Sequence, residues 1–526
     1  SYLNADKSLF PDTGFAIIER NVPVKDGTGQ VIPGVKRSTY VGPSTTWGQS
    51  GVPGSIVTVV KDDGGGMAVR RQQVFLQSFA SFAYFTNHEG GQTDFADNAH
   101  IWGPVHSNGG ISIHSSGVNF HDEVTAGADI RQPWFGSFAK SYQEYSPAIP
   151  MPEESELTKL QLLAAAGHTA FLGTMEGAEG EATTRIEFVP VDLNGDGDRV
   201  DGDEGFFRVY QSRDYLWVSA KPPAGDEITH SENCGDFHLL EGVETFVSAE
   251  DHGRIDYGHG AAFSLKRSNR RCFLGGDDRL WGGFVPDDGR GRWLRWEGSV
   301  DPRLRALKPL EAEYLFPLSR LLNPDTRGVI YVEGKVIVSG RIRGRVTVAA
   351  SGNIIVGDDL TYQTDPGAGG CADVAGYFSG ERVVLSNNLL NAPARVPGHS
   401  AYYTYDDSQA EFLHGVVLAL DIFTAENYTS GSTSGQPCGT ARAGRGCLYL
   451  TGGIIQNAPG AVGLGDGRGY VERYSYDRCA ANQPPPYFPT TGVFVKGQYS
   501  QVDPAGFDIA NYFPLIAPGP PASPPF

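Results

Sequence analysis

The sequence predicts a mainly β fold in which a β-solenoid-like region is attached to a small α+β domain. Gly supplies 69 of the 526 residues and Pro 34, and both residue types concentrate at tight turns between short strands. Between positions 328 and 362, short β-branched runs alternate with Gly at spacings of about four to eight residues. Stacked repeats with this pattern are typical of a β-solenoid, because one coil buries its apolar face only against the next. A β-sandwich is the alternative that strand periodicity leaves open.

Two segments of the N-terminal part differ in their periodicity. Residues 56–60 form a β-branched run that predicts a strand, and the Gly-rich residues 61–66 predict the turn that ends it. Phe75, Phe79 and Phe82 then recur at helical spacing, which predicts a short helix over residues 70–86 with an aromatic face.

A second helix is predicted over residues 153–166. Leu157, Leu160 and Ala164 share one face there, and Gly167 supplies a C-terminal cap. At the other end of the chain, the Pro-, Ala- and Ser-rich residues 514–526 predict a disordered tail.

Charge and cysteine usage narrow the class of protein. The net charge is −19, which predicts a soluble chain that repels polyanions on average. No apolar run is long enough to span a bilayer. The six cysteines form no C-x-x-C pair and predict disulfides in an oxidising compartment, with six free thiols as the alternative. Cys438 and Cys447 flank a short loop and are the candidate local pair.

An acidic loop at residues 192–204 matches the first half of a calcium-binding motif. Oxygen-bearing side chains occur at alternate positions with Gly at the sixth, which lets a loop wrap one Ca²⁺. Because strand-like segments flank the loop, the calcium would be structural, and an empty acidic turn is the alternative. The predicted ligands are Asp192, Asn194, Asp196, Asp198, Asp201 and Asp203.

A basic segment at residues 266–308 stands out in this acidic chain. It carries arginines interleaved with tryptophans, a composition that suits contact with phosphates and stacking on bases. The simpler alternative pairs the arginines with neighbouring aspartates and places the tryptophans in a core. The candidate DNA contacts are Arg290, Arg292, Trp293, Arg295 and Trp296.

Other charged residues give weaker predictions. Arg341, Arg343 and Arg345 alternate in the sequence, which predicts one solvated strand face. The spacing of four histidines between positions 100 and 121 matches no metal-ligand motif. No nucleophile elbow, P-loop or zinc-helix motif occurs either, so the chain is not expected to be an enzyme.

Several segments, taken in order, resemble the PilX-like family of type IV pilus-associated proteins, which combine a truncated pilin part with a large β-rich region. The segments are FASFAYFT at 79–86, WGPVHSNG at 102–109, VIYVEG at 329–334, GRVTV at 344–348, GIIQ at 453–456, GAVG at 460–463, GY at 469–470, YSYD at 474–477 and PPYFPT at 485–490. The size and the solenoid-like repeats are similar to the large competence-associated members of that family. The resemblance offers no catalytic residues.

The resemblance implies a minor pilin at the pilus tip on the cell surface. Its partners would be other minor pilins and extracellular DNA taken up during natural transformation. Membrane contact would come only from an N-terminal hydrophobic helix that this sequence does not contain. Two other functions stay open: a secreted, calcium-dependent β-helix polysaccharide lyase and a general surface adhesin. An open groove holding both the calcium loop and an arginine would favour the lyase.

The resulting domain prediction has four parts. Residues 1–98 form the truncated pilin-like α+β part, and residues 99–320 form a β-rich region with the acidic loop and the basic segment. Residues 321–500 hold the solenoid-like repeats and the C-terminal family motif, and residues 501–526 form a tail.

Overall fold

The computed structural model describes most of the chain, in two compact units. The described residues are 14–43, 54–88, 93–95, 99–114, 116–219, 271–273, 284, 286–287, 289, 291–366, 370–386, 411–426, 428–429, 447–464 and 469–516. Unit 1 combines the two ends of the chain, up to Phe79 and from Pro489, and unit 2 is Ala80–Phe488. The predicted domain limits at residues 98 and 320 do not coincide with these unit boundaries.

Strands dominate the described residues. Those before position 200 are β1 Ala16–Lys25, β2 Val31–Pro43, β3 Gly54–Asp62, β4 Met67–Ser78, β5 Tyr84–Thr86, β6 Thr93–Phe95, β7 His100–Ile101, β8 Val105–Ser107, β9 Ile111–Ile113, β10 Val118–Phe120, β11 Val124–Ala126, β12 Ile130–Arg131, β13 Gly136–Phe138, β14 Tyr142–Gln143, β15 Ala170–Leu172 and β16 Ala182–Pro190. Those after it are β17 Gly205–Ser219, β18 Arg271–Phe273, β19 Gly291–Trp293, β20 Phe316–Pro317, β21 Val329–Glu333, β22 Val336–Ile342, β23 Arg345–Ala350, β24 Ile354–Tyr362, β25 Val374–Ser379, β26 Val383–Leu385, β27 Glu411–Ala419, β28 Phe423–Ala425, β29 Cys447–Gln456, β30 Val471–Tyr476 and β31 Thr490–Val502.

Helices are few and short. The α-helices in the described residues are α1 Ser155–Ala166, α2 Pro302–Leu307, α3 Arg478–Asn482 and α4 Ile509–Ile516, and 3₁₀ turns cover Phe79–Ser81, Pro133–Phe135 and Ala312–Tyr314. The predicted helix at 153–166 is confirmed as α1, with Leu157, Leu160 and Ala164 buried and the Gly167 N–H bonded to the last carbonyls. The mainly β class is confirmed as well.

Unit 1 is a five-stranded antiparallel sheet in the order β1-β2-β3-β4-β31. Val57, Val59 and Val69 form an apolar face on this sheet, and side chains of α4 such as Tyr512 pack against it. Residues after position 501 therefore belong to the fold up to Ile516, and α4 replaces the start of the predicted tail.

The helix predicted over residues 70–86 is wrong. Residues up to Ser78 continue β4, which pairs with β3 on one side and with β31 on the other, and β5 begins at Tyr84. Phe79 is buried as expected, but Phe75 is exposed. The pairing with β31, more than 400 positions away, overrides the local helical spacing because it satisfies the second edge of β4.

Unit 2 contains two ladders of parallel strands, in which each strand from β21 onward pairs with the one two places later in the chain. The first ladder runs β15-β21-β23-β25-β27-β29, and the second runs β16-β22-β24-β26-β28. Successive passes of the chain therefore stack on each other. The solenoid stays a prediction, and these ladders are the pairing it requires.

A three-sided stack continues the first ladder. Strand β5 pairs in parallel with β29, and β8, β11 and β14 follow it, while β6-β9-β12 and β7-β10-β13 make the other two sides. The interior of the three-sided stack is apolar: Val105, Ile113 and Val118 are among its buried core residues. Unit 2 thus joins N-terminal coils onto the last C-terminal strands of the ladder.

Candidate functional site

The acidic loop connects β16 to β17, two antiparallel strands whose last paired residues are Pro190 and Gly205. Gly195 and Gly197 adopt positive φ angles of 74° and 94°, a backbone region that side chains disfavour. These two glycines let the chain fold back so that Asp196 and Asp201 approach the same side chain, that of Asn194.

The carboxylates of the loop hold its backbone and its one amide. Asp192 accepts from the N–H groups of Gly195 (2.6 Å) and Gly197 (3.0 Å). Asp196 and Asp201 both accept from Asn194 Nδ2, at 2.9 and 2.8 Å. A cation bound by Asp196 and Asp201 would displace the NH₂ group of Asn194 from between them. The loop therefore offers the oxygen donors that Ca²⁺ prefers, but two of them bind this amide in the structure.

Glu204 is a functional residue of the loop that the calcium-binding motif does not include. It is fully buried, and its carboxylate accepts from the N–H groups of Leu193 (2.8 Å) and Asp201 (2.9 Å). Burial raises the pKa of Glu204, and the charges of Asp201 and Asp192 add to this effect. Its position directly after the twelve-residue motif was the only sequence signal for it.

Two arginines from other elements bind the C-terminal part of the loop, at Asp201 and Asp203. Arg303 Nη2 of α2 donates to Asp203 Oδ2 at 2.8 Å, and Arg343 Nε donates to the Asp201 carbonyl at 2.9 Å. Asp203 is thereby paired with a guanidinium, which competes with its predicted role as a calcium ligand. In the described residues, no group of three His, Cys, Asp or Glu side chains is arranged to hold a metal ion.

The tryptophans of the basic segment are buried. Trp293 and Trp296 are 3 % and 7 % exposed. The Trp293 ring lies against Tyr210 and beneath the Arg208 guanidinium, which is 4.2 Å from the ring centroid. Neither indole offers a face to a base, so their predicted stacking role is wrong.

The side chain that covers Trp293 belongs to a buried ionic cluster. Glu187 lies between Arg208 Nε, at 2.8 Å, and Arg185 Nη2, at 3.3 Å, and all three are almost fully buried. The cluster lies on β16 and β17, the strands that carry the acidic loop. It holds the tryptophan in the core, as the simpler interpretation of the segment expects.

The arginines of the basic segment whose side chains the structure describes are exposed, and several of them have acidic partners. Arg292 is exposed, and Arg295 pairs with Glu313, which also pairs with Arg305 at 3.6 Å. Arg303 pairs with Asp301 as well as with Asp203. The candidate contact Arg290 lies outside the described residues.

The three alternating arginines at 341–345 do not share a solvated face, which corrects that prediction. Arg343 falls between β22 and β23, is buried, and pairs with Asp373 at 2.9 Å. Arg345 instead donates to the carbonyl oxygens of Gln483 and Pro484 at 2.7 and 2.8 Å. These contacts bind the coils together.

Another group of titratable side chains lies inside the ladder. Tyr362 Oη donates to Asp477 Oδ2 at 3.3 Å, and burial raises the pKa of Asp477. His414 Nδ1 accepts from the Tyr362 N–H at 3.0 Å, and burial lowers the pKa of His414 to about 4. These side chains form hydrogen bonds with the backbone of the ladder.

A cavity with a volume of about 360 Å³ lies at the corner of the second ladder, and none of the titratable side chains named above lines it. Its lining residues are Glu179, Asn353, Gly380, Glu381, Arg382 and Asp421. Arg382 is bound on both sides, by Glu179 at 2.9 Å and Asp421 at 2.7 Å. The cavity contains no residue of the acidic loop.

One disulfide lies in the described part of the chain and joins Cys371 to Cys479. The prediction of oxidised cysteines is confirmed for this pair, although the pairing itself was not predicted. The predicted Cys438–Cys447 pair involves Cys438, which lies outside the described residues.

The segments on which the family resemblance depends converge in unit 2. Residues 84–86 pair with 105–107 on one side and with 454–456 on the other, inside one parallel sheet. Two later segments cover this sheet: Tyr476 Oη donates to the Ser81 carbonyl at 2.8 Å, and the Pro486 carbonyl accepts from Thr347 Oγ1 at 2.6 Å. Segments spread over some 400 positions thus form one layer with its cover.

Comparisons with known proteins give one structural similarity. No family model matches the chain, and no curated protein matches it. The crystal structure of the competence-associated pilin ComZ from Thermus thermophilus is similar to it at 10 % identity and a TM-score of 0.28, over 95 % of this chain and 90 % of that chain. At these values the similarity carries no argument about function. No helix in the described residues has the length and apolar character to cross a membrane.

Proposed function

We propose that this chain is a non-enzymatic minor type IV pilin that lies at the pilus tip, on the cell surface, and takes part in DNA uptake during natural transformation. The observation that carries this proposal is the convergence of the family-like segments into one parallel sheet with its cover. A set of segments that resembles a family in order and also packs as one layer is a coherent structural unit. Its partners are other minor pilins and extracellular DNA.

The proposed DNA contact is the exposed arginine surface around Arg292 and Arg295. Exposed guanidinium groups neutralise phosphates, and such contacts carry no sequence preference. With Trp293 and Trp296 buried, the surface offers charge without stacking, so duplex DNA suits it as well as a single strand. Glu313 competes with phosphate for Arg295 and Arg305.

Titration of the protein with labelled duplex DNA across salt concentrations tests this proposal. Arg292→Glu with Arg295→Glu is expected to weaken binding at least about tenfold and to reduce the salt slope by about two phosphate contacts. Glu313→Gln is expected to tighten binding a few-fold, because it frees two arginines from an acidic partner. Fluorescence anisotropy measures both effects.

The matched control is Arg20→Glu with Lys159→Glu, which makes the same charge change at exposed positions outside the basic segment. Equal losses in the two double variants would mean that net charge, and not this surface, governs binding. If the wild-type protein binds no DNA at low salt, the proposed direct contact with DNA is wrong.

We further propose that the acidic loop binds one structural Ca²⁺ through Asp192, Asn194, Asp196, Asp198 and Asp201. The alternating oxygen donors and the two positive-φ glycines support this assignment. Bound calcium would offset the mutual repulsion of the carboxylates that now surround the Asn194 amide.

No observation favours the lyase or the adhesin. A calcium-dependent lyase needs the cation and a basic group in one open groove, and the described cavity includes no residue of the acidic loop. Its arginine, Arg382, is bound by two carboxylates.

A further inference from the structure

The three-sided stack ends in a coil whose strands have open edges. Within the described residues, the residue pairings join β12 to β9, β13 to β10 and β14 to β11. The outer edges of these strands face away from the stack, and an open strand edge is a template for another strand.

Aromatic side chains are concentrated on this last coil. Trp134, Tyr142 and Tyr145 are 73 %, 44 % and 73 % exposed. A column of rings leads to them from the interior: Phe120 stacks on Phe138 at 5.1 Å, and Phe138 lies 4.7 Å from Tyr142. The aromatic column therefore leads from the buried interior of the stack to its surface.

The charges of the last coil are balanced. Arg131 pairs with Asp129 at 3.6 Å, and Lys140 pairs with Asp122 at 2.5 Å. Glu144 accepts from the Ile130 N–H at 2.8 Å and so occupies the edge of β12. An occupant of this end must match a neutral, aromatic surface, which excludes a polyanion, and the edges left for it are those of β13 and β14.

Elsewhere in unit 2, the ladder already includes a strand that comes from a distant part of the sequence. Strand β5 joins the ladder by parallel pairing with β29, Tyr84 opposite Ile454, although some 370 positions separate the two strands. The ladder thus accepts a strand that is distant in sequence. The same ladder ends at β14, and none of the residue pairings of the described part of the chain adds a further strand there.

We propose that the end coil, residues 130–145, binds an extended, uncharged segment of a partner protein, which adds as a strand to β13 and β14 and packs apolar side chains on Trp134 and Tyr142. This rests on the proposed function, under which the partner is another minor pilin. Backbone hydrogen bonds supply the affinity of strand addition, and the aromatic side chains supply the specificity.

Binding of the full chain to purified ectodomains of the minor pilins from the same organism tests the proposal. Ser137 is exposed on β13, and Ser137→Lys is expected to weaken binding at least about tenfold, because a lysine on a strand edge opposes strand addition. Ser137→Thr is the matched control and is expected to bind as the wild type does. Trp134→Ala is expected to weaken binding, whereas Trp102→Ala, another exposed tryptophan of the stack, is not.

Hydrogen exchange in the complex supplies a backbone readout: slower exchange of amides 136–143 supports strand addition. Failure of every ectodomain to bind, or binding that Ser137→Lys leaves intact, overturns the proposal. Self-association in sedimentation that Ser137→Lys abolishes also overturns it, because the occupant would then be a second copy of the chain. Transformation frequency after gene deletion tests the proposed function separately, since it does not depend on this coil.

Discussion

At the scale of single residues, the acidic loop separates into groups with different tasks. Asp196 and Asp201 converge on one amide, whereas Asp203 is held by Arg303 outside the loop, and Glu204 beneath it holds two backbone N–H groups. Carboxylates that are adjacent in sequence therefore have different partners. The convergent pair, Asp196 and Asp201, is therefore the part of the proposed ligand set on which calcium binding is expected to depend most.

Calcium binding is predicted to depend on the convergent pair. In wild-type protein, Ca²⁺ at about 100 times its Kd is expected to stabilise the fold by about 2.7 kcal/mol, seen as a higher Tm. Asp196→Asn with Asp201→Asn is expected to abolish this increase, and Asp203→Asn is expected to retain it. Thermal melts with calcium and with chelator make the comparison, and a Tm increase that only Asp203→Asn removes would contradict the prediction.

At the scale of elements, a ladder of asparagines joins the N-terminal coils to the C-terminal strands. Asn87 Nδ2 donates to Asn457 Oδ1 at 2.9 Å, and Asn108 Nδ2 donates to Asn87 Oδ1 at 2.7 Å. Asn108 also exchanges two hydrogen bonds with the Ile149 backbone, at 2.7 and 2.8 Å. Each asparagine directly follows a strand of the ladder, so the amides stack at one corner, where they bridge the seam between β29 and β5.

Asn87→Ala is predicted to weaken this seam. The substitution leaves amide groups of Asn457 and Asn108 without their partner, which typically costs about 1–3 kcal/mol. Hydrogen exchange is expected to accelerate in β5 and β8 more than in β21 and β23. Asn119→Ala is the control, since its amide donates to the Gly117 carbonyl within its own turn. Uniform acceleration over all four strands would argue against a local seam.

At the scale of the whole molecule, unit 2 depends on contacts between residues far apart in the chain. The Cys371–Cys479 disulfide spans 108 positions and ties the start of β25 to α3, beyond the last strand of the ladder. Closing so long a loop restricts the unfolded chain strongly. The disulfide thus holds segments that belong to different coils.

Cys371→Ser with Cys479→Ser is predicted to destabilise unit 2 by about 2–4 kcal/mol under oxidising conditions. Denaturant unfolding measures the change against the wild type. The two Ser side chains fill nearly the same volume as the cysteines, so a cavity contributes little. An unchanged midpoint would mean that the other contacts of α3, such as the Asp477 cap on the Cys479 N–H, hold this region alone.

The sequence by itself determined what depends on local chemistry. Gly and β-branched patterning predicted the mainly β class, and the spacing of Leu157, Leu160 and Ala164 predicted α1. The periodicity of apolar side chains is a property of consecutive residues, so it predicts local structure without knowledge of any tertiary contact. The even cysteine count likewise predicted oxidation, and Cys371–Cys479 bears this out.

Tertiary structure alone decided which distant residues meet. The helix expected over 70–86 became β4 because β31 supplies its second edge, and Asp203 forms an ion pair with Arg303, which reaches it from α2. The Trp293 indole was committed to the core by Arg208 and Tyr210 of β17. Each outcome rests on a hydrogen bond or a burial that joins residues from about 80 to more than 400 positions apart, and no local pattern encodes such a pairing.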